Sequence, residues 1–272
     1  MTAHRAKPAF YGGLSLGALI WLVPVGILLL TAIRGAADVA SNGTFAWPRS
    51  FAWQNFVHAW QQGVAEYFLN SLTITLIKTP LGILVSSLAA FALALMRFRH
   101  ETLVFGLFLV GLIVPVQMTL VPLNMLLTRL DLIDSHAGLI FVYIGFGLPF
   151  QILVLRGFLR TLPYELVEAA VLDGCSWLRN WWQVILPLAR PALVALAILD
   201  GIATWNEFIL AQIFLRSSEN RTLSLGVVQF STEFSTSYDL LAAAQCITLL
   251  PALLFYVFFQ RHFVRGIAGA VK

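Results

Sequence analysis

The sequence predicts an all-α membrane protein with six transmembrane helices, and three observations support that prediction. The 272 residues are 59% hydrophobic and only 11% charged, whereas about a quarter of a soluble domain is charged. The mean hydropathy is +0.84. Runs of about 20 apolar residues, the length that crosses a bilayer, recur along the chain. The segments between them are short, so we expect a single transmembrane domain over residues 1–272.

The six predicted spans cover about residues 10–33, 67–96, 103–127, 138–158, 192–214 and 240–259. The first is longer than the apolar core of a cleaved signal peptide, so we expect it to remain in the protein. The second contains Lys78, which either serves function inside the membrane, snorkels to its surface or pairs with a neighbouring subunit. Pro115 and Pro122 are expected to break the third. Residues 34–66 have the composition of a polar, aromatic-rich loop at the interface.

The distribution of positive charge predicts the orientation. Six spans place both termini on one side, and positive residues favour the cytoplasmic side. On the side of the termini lie Arg5, Lys7, Arg97, Arg99, Arg156, Arg160, Arg179, Arg190, Arg261, Arg265 and Lys272. On the other side lie Arg34, Arg49, Arg129, Arg216 and Arg221. We therefore expect both termini, and the loop 161–191 between the fourth and fifth spans, to be cytoplasmic.

The loop 161–191 predicts a short helix that lies outside the bilayer. Pro163 suits a first helical position, Glu165 favours the first turn, and Gly174 is placed to end the helix. Its length of about ten residues corresponds to roughly 15 Å, too short to cross a membrane. Ser176 is a suitable N-cap for a second helix.

The spacing within this loop resembles the cytoplasmic loop of permease subunits in ATP-binding-cassette importers. That family shows EAA, three residues, Gly, nine residues, Ile, one residue and Leu-Pro. The matching positions here are Glu168-Ala169-Ala170, Gly174 and Leu186-Pro187, with Val184 in place of Ile. Asp173 before the glycine fits the sugar-importing branch. The alternative is a generic amphipathic hairpin at the membrane surface.

The resemblance extends over about residues 67–272. Elements similar to those of sugar permeases are Asn70-Ser71-Leu72, residues 89–94 with Arg97 and Phe98, residues 130–135, Trp205-Asn206-Glu207-Phe208, and the tail 260–272. Together they indicate the second, shorter permease of a carbohydrate importer, of the maltose-transporter G-subunit type. The segment 34–66 has no counterpart in that pattern.

The resemblance implies a bacterial inner-membrane complex with several partners. These are a second permease that forms a heterodimer with this chain, two copies of a cytoplasmic ABC ATPase, a periplasmic sugar-binding protein and membrane lipid, without nucleic acid. The loop helix would be the coupling helix that docks on the ATPase, through Glu165, Glu168, Ala169, Ala170, Asp173 and Gly174. Of the three lysines only Lys78 precedes a threonine, and no glycines lead into it, so we expect no P-loop in this chain. We therefore expect no cofactor on this chain, and ATP and Mg on the partner ATPase.

Polar residues within the spans are candidates for the translocation path, because polar groups in lipid need a cavity or a partner. They are Asn70, Gln117, Asn124, Asn206, Glu207 and Gln245. Asp200, two helical turns before Glu207, is expected to share its face. The alternative is hydrogen bonding to the partner permease, worth about 1 kcal/mol for each residue.

Two other functional classes remain as alternatives. An ion-gradient-driven secondary transporter would be expected to show inverted repeats and a paired acidic relay. A polytopic membrane enzyme would need clustered His, Asp or Glu side chains, whereas the five histidines are scattered along the sequence. The two cysteines lack histidines nearby, so we expect neither a metal site nor catalysis by this chain. The identity of the sugar does not follow from the sequence.

Overall fold

The computed structural model describes residues 6–43, 45–96, 98–231 and 237–270, with side chains for 10–255 and Val257 inside those ranges. Its regular elements within these ranges are helices, so the predicted all-α class is confirmed. They are α1 (Ala6–Ala32), α2 (Ala36–Ser41), α3 (Gln54–Ala59), a π-helical turn (Trp60–Val64), α4 (Ala65–Leu95), α5 (Glu101–Ile113), α6 (Val116–Arg129), α7 (His136–Leu159), α8 (Glu165–Leu172), α9 (Trp177–Asn180), a second π-helical turn (Trp181–Ile185), α10 (Leu186–Leu188), α11 (Arg190–Trp205), α12 (Ile209–Phe214), a 3-10 turn (Ser218–Asn220), α13 (Leu223–Gly226), a second 3-10 turn (Val227–Phe230) and α14 (Tyr238–Ala270).

The chain divides into two compact units, and the first comprises residues 1–66 and 226–251. The segment 34–66, predicted to be a loop, contains two short helices and a π-helical turn in this unit. Its order comes from Arg34, which is 1% exposed and whose guanidinium binds the Asp38 carboxylate at 2.8 Å. Asn55 donates to the carbonyl oxygens of Ala32 and Arg34. These hydrogen bonds satisfy the buried polar groups of the segment. Its composition alone predicts an interfacial loop.

The second unit comprises residues 67–225 and 252–272. Two clusters of buried apolar side chains lie among its described residues. One joins α4, α6, α7 and α12 and includes Ile74, Leu127, Leu139, Val142, Leu210 and Phe214. The other joins α4, α7, α8 and the second π-helical turn and includes Phe91, Leu155, Leu159, Val167, Trp181 and Ile185. The short helix α8 therefore shares an apolar cluster with two long helices of the same unit.

Among the described residues, four helical segments are long and apolar enough to cross a membrane, and the number rises to six when each sharply bent helix pair counts as one span. The predicted third span corresponds to one such pair, α5 and α6, which meet at 102°. Pro115 causes this break, since a residue before proline avoids the α conformation and Val114 has ψ 117°. Pro122 lies inside α6, so the prediction that it also breaks the span is wrong.

Residues 192–214, predicted as the fifth span, do not form one continuous helix. Helix α11 ends at Trp205 and α12 begins at Ile209. The Asn206 side chain donates to the carbonyl of Ile202 at 2.9 Å, and the Glu207 carboxylate accepts the N–H groups that open α12. Side chains thus replace the hydrogen bonds that a continuous helix would make. The second bent pair lies earlier, where residues 177–188 meet α11 at 78°.

The sixth predicted span lies within α14, whose backbone remains helical to Ala270. The apolar membrane-length part is Tyr238–Phe255. The tail predicted to follow residue 259 therefore continues this helix, and residues 271–272 lie outside the described residues.

Candidate functional site

A cavity of about 420 Å³ opens in the second unit between α4, α6, α7, α11 and α12. Most of its lining is apolar or aromatic, and a few polar groups converge on it, a composition typical of small-molecule sites. Its lining residues of greatest chemical interest are Lys78, Gln117, Tyr143, Asp200, Thr204 and Glu207.

A buried ion pair forms one wall of the cavity. Lys78 is 3% exposed and donates to Asp200 Oδ1. Gln151 Nε2 donates to the same oxygen at 2.8 Å. Gly147 leaves room for the pair, because a Cβ there would lie 3.3 Å from Lys78 Nζ. Helices α4, α7 and α11 are thus joined at one carboxylate.

Several oxygen atoms beside this pair are buried without a hydrogen-bond partner. They are Asp200 Oδ2, Gln151 Oε1, Thr75 Oγ1 and Thr79 Oγ1. Such groups cost free energy while unsatisfied, by about 1–3 kcal/mol each. Asp200 Oδ2 and Gln151 Oε1 only accept hydrogen bonds, whereas the two threonine hydroxyls can also donate.

A second carboxylate, Glu207, holds the break between α11 and α12. Tyr143 donates its hydroxyl to Glu207 Oε2. The backbone N–H groups of Leu210 and Ala211 donate to the same carboxylate at 2.7 and 3.1 Å. Glu207 therefore links α7 to the start of α12 while it faces the cavity.

Helix α8 is a separate feature of the same unit. Tyr164 precedes its first residue, so the predicted placement of Pro163 at the first helical position is wrong by two residues. Gly174 ends the helix as predicted, with φ +80°. The Gly174 N–H binds the carbonyl of Val171 at 3.0 Å and the Cys175 N–H binds that of Ala170 at 2.9 Å. This pair of bonds is a Schellman motif, which fixes where the helix stops.

One face of α8 packs against its own chain, and the other is open. Val167 and Ala170 are buried. Asn180 donates to the carbonyl of Val167 at 3.4 Å, which fastens α8 to the following segment. The exposed residues include Glu165, Glu168, Ala169, Leu172, Asp173 and Gly174. Leu172, an apolar side chain, is 87% exposed.

The second helix of the loop begins where the sequence predicts, as α9. Ser176 is the N-cap of α9, and its hydroxyl accepts from the Arg179 N–H. Trp181 and Ile185 in the π-helical turn are buried, whereas Trp177 is 42% exposed. The buried side chains of this segment therefore hold α8 in place, while the other face of α8 stays exposed.

Comparison with known proteins decides the family. Residues 80–269 match the family described as binding-protein-dependent transport system inner membrane component. The chain belongs to this family.

Among relatives of the permease is the diacetylchitobiose uptake system permease protein NgcG of Streptomyces coelicolor, 33% identical over 95% of this chain and 85% of the relative. Another is the arabinooligosaccharides transport system permease protein AraQ of Halalkalibacterium halodurans, 31% identical over 96% and 94%. In a crystal structure of a bacterial ABC transporter that imports the acidic polysaccharide alginate, one chain matches with a TM-score of 0.84 and 21% identity. That match covers 97% of this chain and 98% of the other and shows the shared fold.

The permease brings two of the predicted translocation-path residues to the cavity, Gln117 and Glu207. The other four lie elsewhere. Asn70 donates to the carbonyls of Glu219 and Arg221. Asn206 binds within its own helix, Asn124 is half-buried in α6, and Gln245 is exposed in the first unit. A role of any of the six in transport stays a prediction.

Sequence reasoning missed how the permease pairs its buried charges. Lys78 neither snorkels nor needs a neighbouring subunit, because Asp200 of the same chain is its partner. Tyr143 and Gln151 carried no sequence signal of their own. Opposite charges in two predicted spans were the available clue, since buried charges in membranes pair. Trp205, the first residue of the motif 205–208, is buried edge-on against Phe68 at 5.3 Å between ring centroids.

Proposed function

We propose that this permease is one of two transmembrane subunits of an ATP-driven importer for a sugar or sugar derivative. It forms half of the translocation pathway, as a single domain, and couples to a separate ATPase. The observation that carries the proposal is α8, a short helix with a fixed end and an open face, in the loop whose spacing matches the importer pattern. Relatives named for the uptake of diacetylchitobiose and arabinooligosaccharides support the choice of a saccharide.

The packing of α8 suits the transmission of force. Its buried residue Val167 belongs to the same apolar cluster as Phe91 in α4 and Leu155 in α7. Because close-packed side chains transmit displacement, movement of α8 would displace these long helices as well. A partner that closes on the exposed face would therefore act on helices that line the cavity. Allosteric coupling requires a shared element of this kind.

The complete complex would contain partners that hold what this chain lacks. Two copies of a cytoplasmic ABC ATPase bind ATP and Mg, a second permease completes the pathway, and a periplasmic binding protein delivers the sugar. Both termini and α8 would face the cytoplasm, in agreement with the distribution of positive charge. Glu165, Glu168, Ala169, Asp173 and Gly174 would contact the ATPase, whereas Ala170 would act from the buried side of the helix.

Substitutions on the open face of α8 test this function. Glu168→Lys reverses an exposed charge, and Gly174→Leu puts a side chain at a φ of +80° that only glycine adopts readily. We expect both variants to insert into the membrane at normal levels. We also expect them to lose co-purification of the ATPase and ATP-dependent sugar uptake by at least tenfold.

The matched control is Glu219→Lys, which reverses an exposed charge of the same unit outside α8. It should retain both association and uptake. Normal ATPase association and uptake by the two α8 variants would contradict the proposed coupling.

A further inference from the structure

The lining of the cavity contains more negative than positive side chains. Among the described lining residues the charged ones are Lys78, Asp200 and Glu207. The single cation is already bound by Asp200, with the Lys78 side chain 4% exposed and that of Asp200 9% exposed. Glu207 remains without a cationic partner among the residues that line the cavity. The wall that this chain contributes is therefore negative by one formal charge.

The remaining polar groups strengthen this bias toward hydrogen-bond acceptors. Asp200 Oδ2 is buried and has no donor, although its other oxygen receives two. Glu207 accepts from Tyr143, so the hydroxyl hydrogen of that tyrosine is already used. The free side-chain donors on this wall are the neutral groups of Gln117 and Thr204. A ligand rich in hydroxyl groups supplies the donors that such a wall lacks.

A negatively charged ligand would be disfavoured at this wall. Charges interact more strongly at the effective dielectric constant of a protein interior than in water. A carboxylate or phosphate in the cavity would lose hydration and find its nearest cation already paired. An uncharged sugar avoids this cost, and an ammonium group would be attracted to Glu207.

We propose that this wall selects the charge of the transported sugar, so that neutral or amino saccharides pass and uronates or sugar phosphates are rejected. The inference rests on the proposed sugar-import function and narrows its substrate class. Glu207 is the residue that sets the preference, because Asp200 is mostly buried and already paired with Lys78. The Lys78–Asp200 pair contributes by keeping the lysine from serving as an anion site.

Direct binding to the purified transporter complex in detergent, without the binding protein, tests the proposal. The probes are radiolabelled cellobiose and its amino and uronate forms, which have the same number of rings. We expect the uronate form to bind at least tenfold more weakly than cellobiose, and the amino form to bind at least as tightly. Omitting the binding protein ensures that any preference belongs to the permeases.

Two substitutions assign that preference to this chain. Glu207→Gln keeps an acceptor at the start of α12 but removes the unpaired charge, and should reduce the discrimination against the uronate by about tenfold. Gln117→Lys adds a cation at an exposed position of the lining and should favour the uronate even if the first variant folds poorly. Glu219→Gln, the same charge change at an exposed site outside the lining, should leave the ratio unchanged.

The possible outcomes separate this inference from the function beneath it. Equal binding of the uronate and neutral forms to the wild type would overturn the charge preference alone. So would an unchanged ratio in both the Glu207→Gln and Gln117→Lys variants. Failure of all three saccharides to bind would overturn the charge preference as a property of this wall, whereas the proposed import function is tested separately by the α8 variants.

Discussion

Ion pairs in the second unit differ between the interior of the long helices and their ends. Inside, Lys78 and Asp200 have side chains 4% and 9% exposed. At the ends, Glu101 of α5 binds both Arg156 of α7 and Arg160, the residue that caps α7, and its side chain is 21% exposed. The same pairing of opposite charges is therefore made under very different access to solvent.

This difference decides what each pair contributes. In the interior, removal of one partner leaves the other charge buried without compensation, and the cost far exceeds the net value of the pair. At the helix ends, water reaches the partly exposed Glu101, so loss of a partner costs less there, and least for the exposed Arg160. The interior pair consequently fixes how α4 and α11 face each other at the cavity. The pairs at the ends only connect neighbouring helix termini.

The largest expected effect follows from breaking the interior pair on one side. Lys78→Met leaves Asp200 buried with Gln151 as its sole remaining donor, and should lower the free energy of unfolding by about 3–5 kcal/mol. Titration with SDS in mixed micelles, followed by tryptophan fluorescence, would measure it.

The double variant Lys78→Met with Asp200→Leu is the informative control. Replacement of a whole buried pair by apolar side chains is often neutral or stabilising. We therefore expect the double variant to recover most of the stability that the single variant loses. If both lose the same amount, the pair would contribute through packing rather than through its charges.

The sequence distance between the partners explains what could be predicted. The end of α8 at Gly174 and the start of α9 at Ser176 are confirmed, because the chemistry of each helix end lies within a few neighbouring residues. Lys78 and Asp200 are 122 positions apart, and Tyr143 and Glu207 are 64 apart. A single sequence shows that each is polar inside a span but does not show which ones meet.

The fifth span illustrates the same limit. Residues 192–214 are apolar enough to predict one helix, and its break at 206–208 depends on where the Glu207 carboxylate lies. That position is fixed by Tyr143 of α7, which belongs to another part of the chain. Segment 34–66 was missed for a similar reason, since its order depends on the burial of Arg34. Local composition predicted the class of fold, whereas long-range polar contacts determined the site.

Arg156 and Arg160 share the carboxylate of Glu101 but differ in exposure. Arg156 is mostly buried, donates to the carbonyl of Leu93 at 2.9 Å and lies 3.9 Å above the ring of Phe105. The side chain of Arg160 is 52% exposed. Arg156→Gln should cost about 1.5–3 kcal/mol through its charged hydrogen bonds and the ring contact. Arg160→Gln should cost about 0–1 kcal/mol.

The same SDS titration measures both variants, each of which removes one positive charge from the C-terminal end of α7 or its cap. Raising the salt concentration should reduce the already small effect of Arg160→Gln and leave that of Arg156→Gln largely intact, because buried pairs are less screened. Equal losses for the two arginines would mean that exposure does not govern the value of these pairs.

The smallest expected effect concerns Asp134, in the loop between α6 and α7, and depends on pH. Its carboxylate accepts the backbone N–H groups of Arg216 and Ser217 at 2.8 and 3.1 Å. Partial burial raises the pKa of Asp134, but these hydrogen bonds outweigh it and hold the pKa below the ordinary value of 3.8. A lowered pKa in the folded state stabilises the fold above the unfolded-state pKa of about 3.9. That stabilisation disappears as the pH falls through the folded-state value.

Asp134→Asn should therefore be less stable than the wild type at pH 7, and the difference should shrink as the pH falls below about 4. Asparagine tolerates the backbone φ of 54° at this position, so the substitution introduces little strain. Asp131→Asn is the matched control, an exposed position of the same loop with φ 56°. Thermal unfolding in detergent between pH 3 and 7 would test it. If the stability difference between the wild type and Asp134→Asn did not change with pH, the carboxylate charge would not hold this loop to residues 216–217. The loss of stability has to follow the protonation of Asp134.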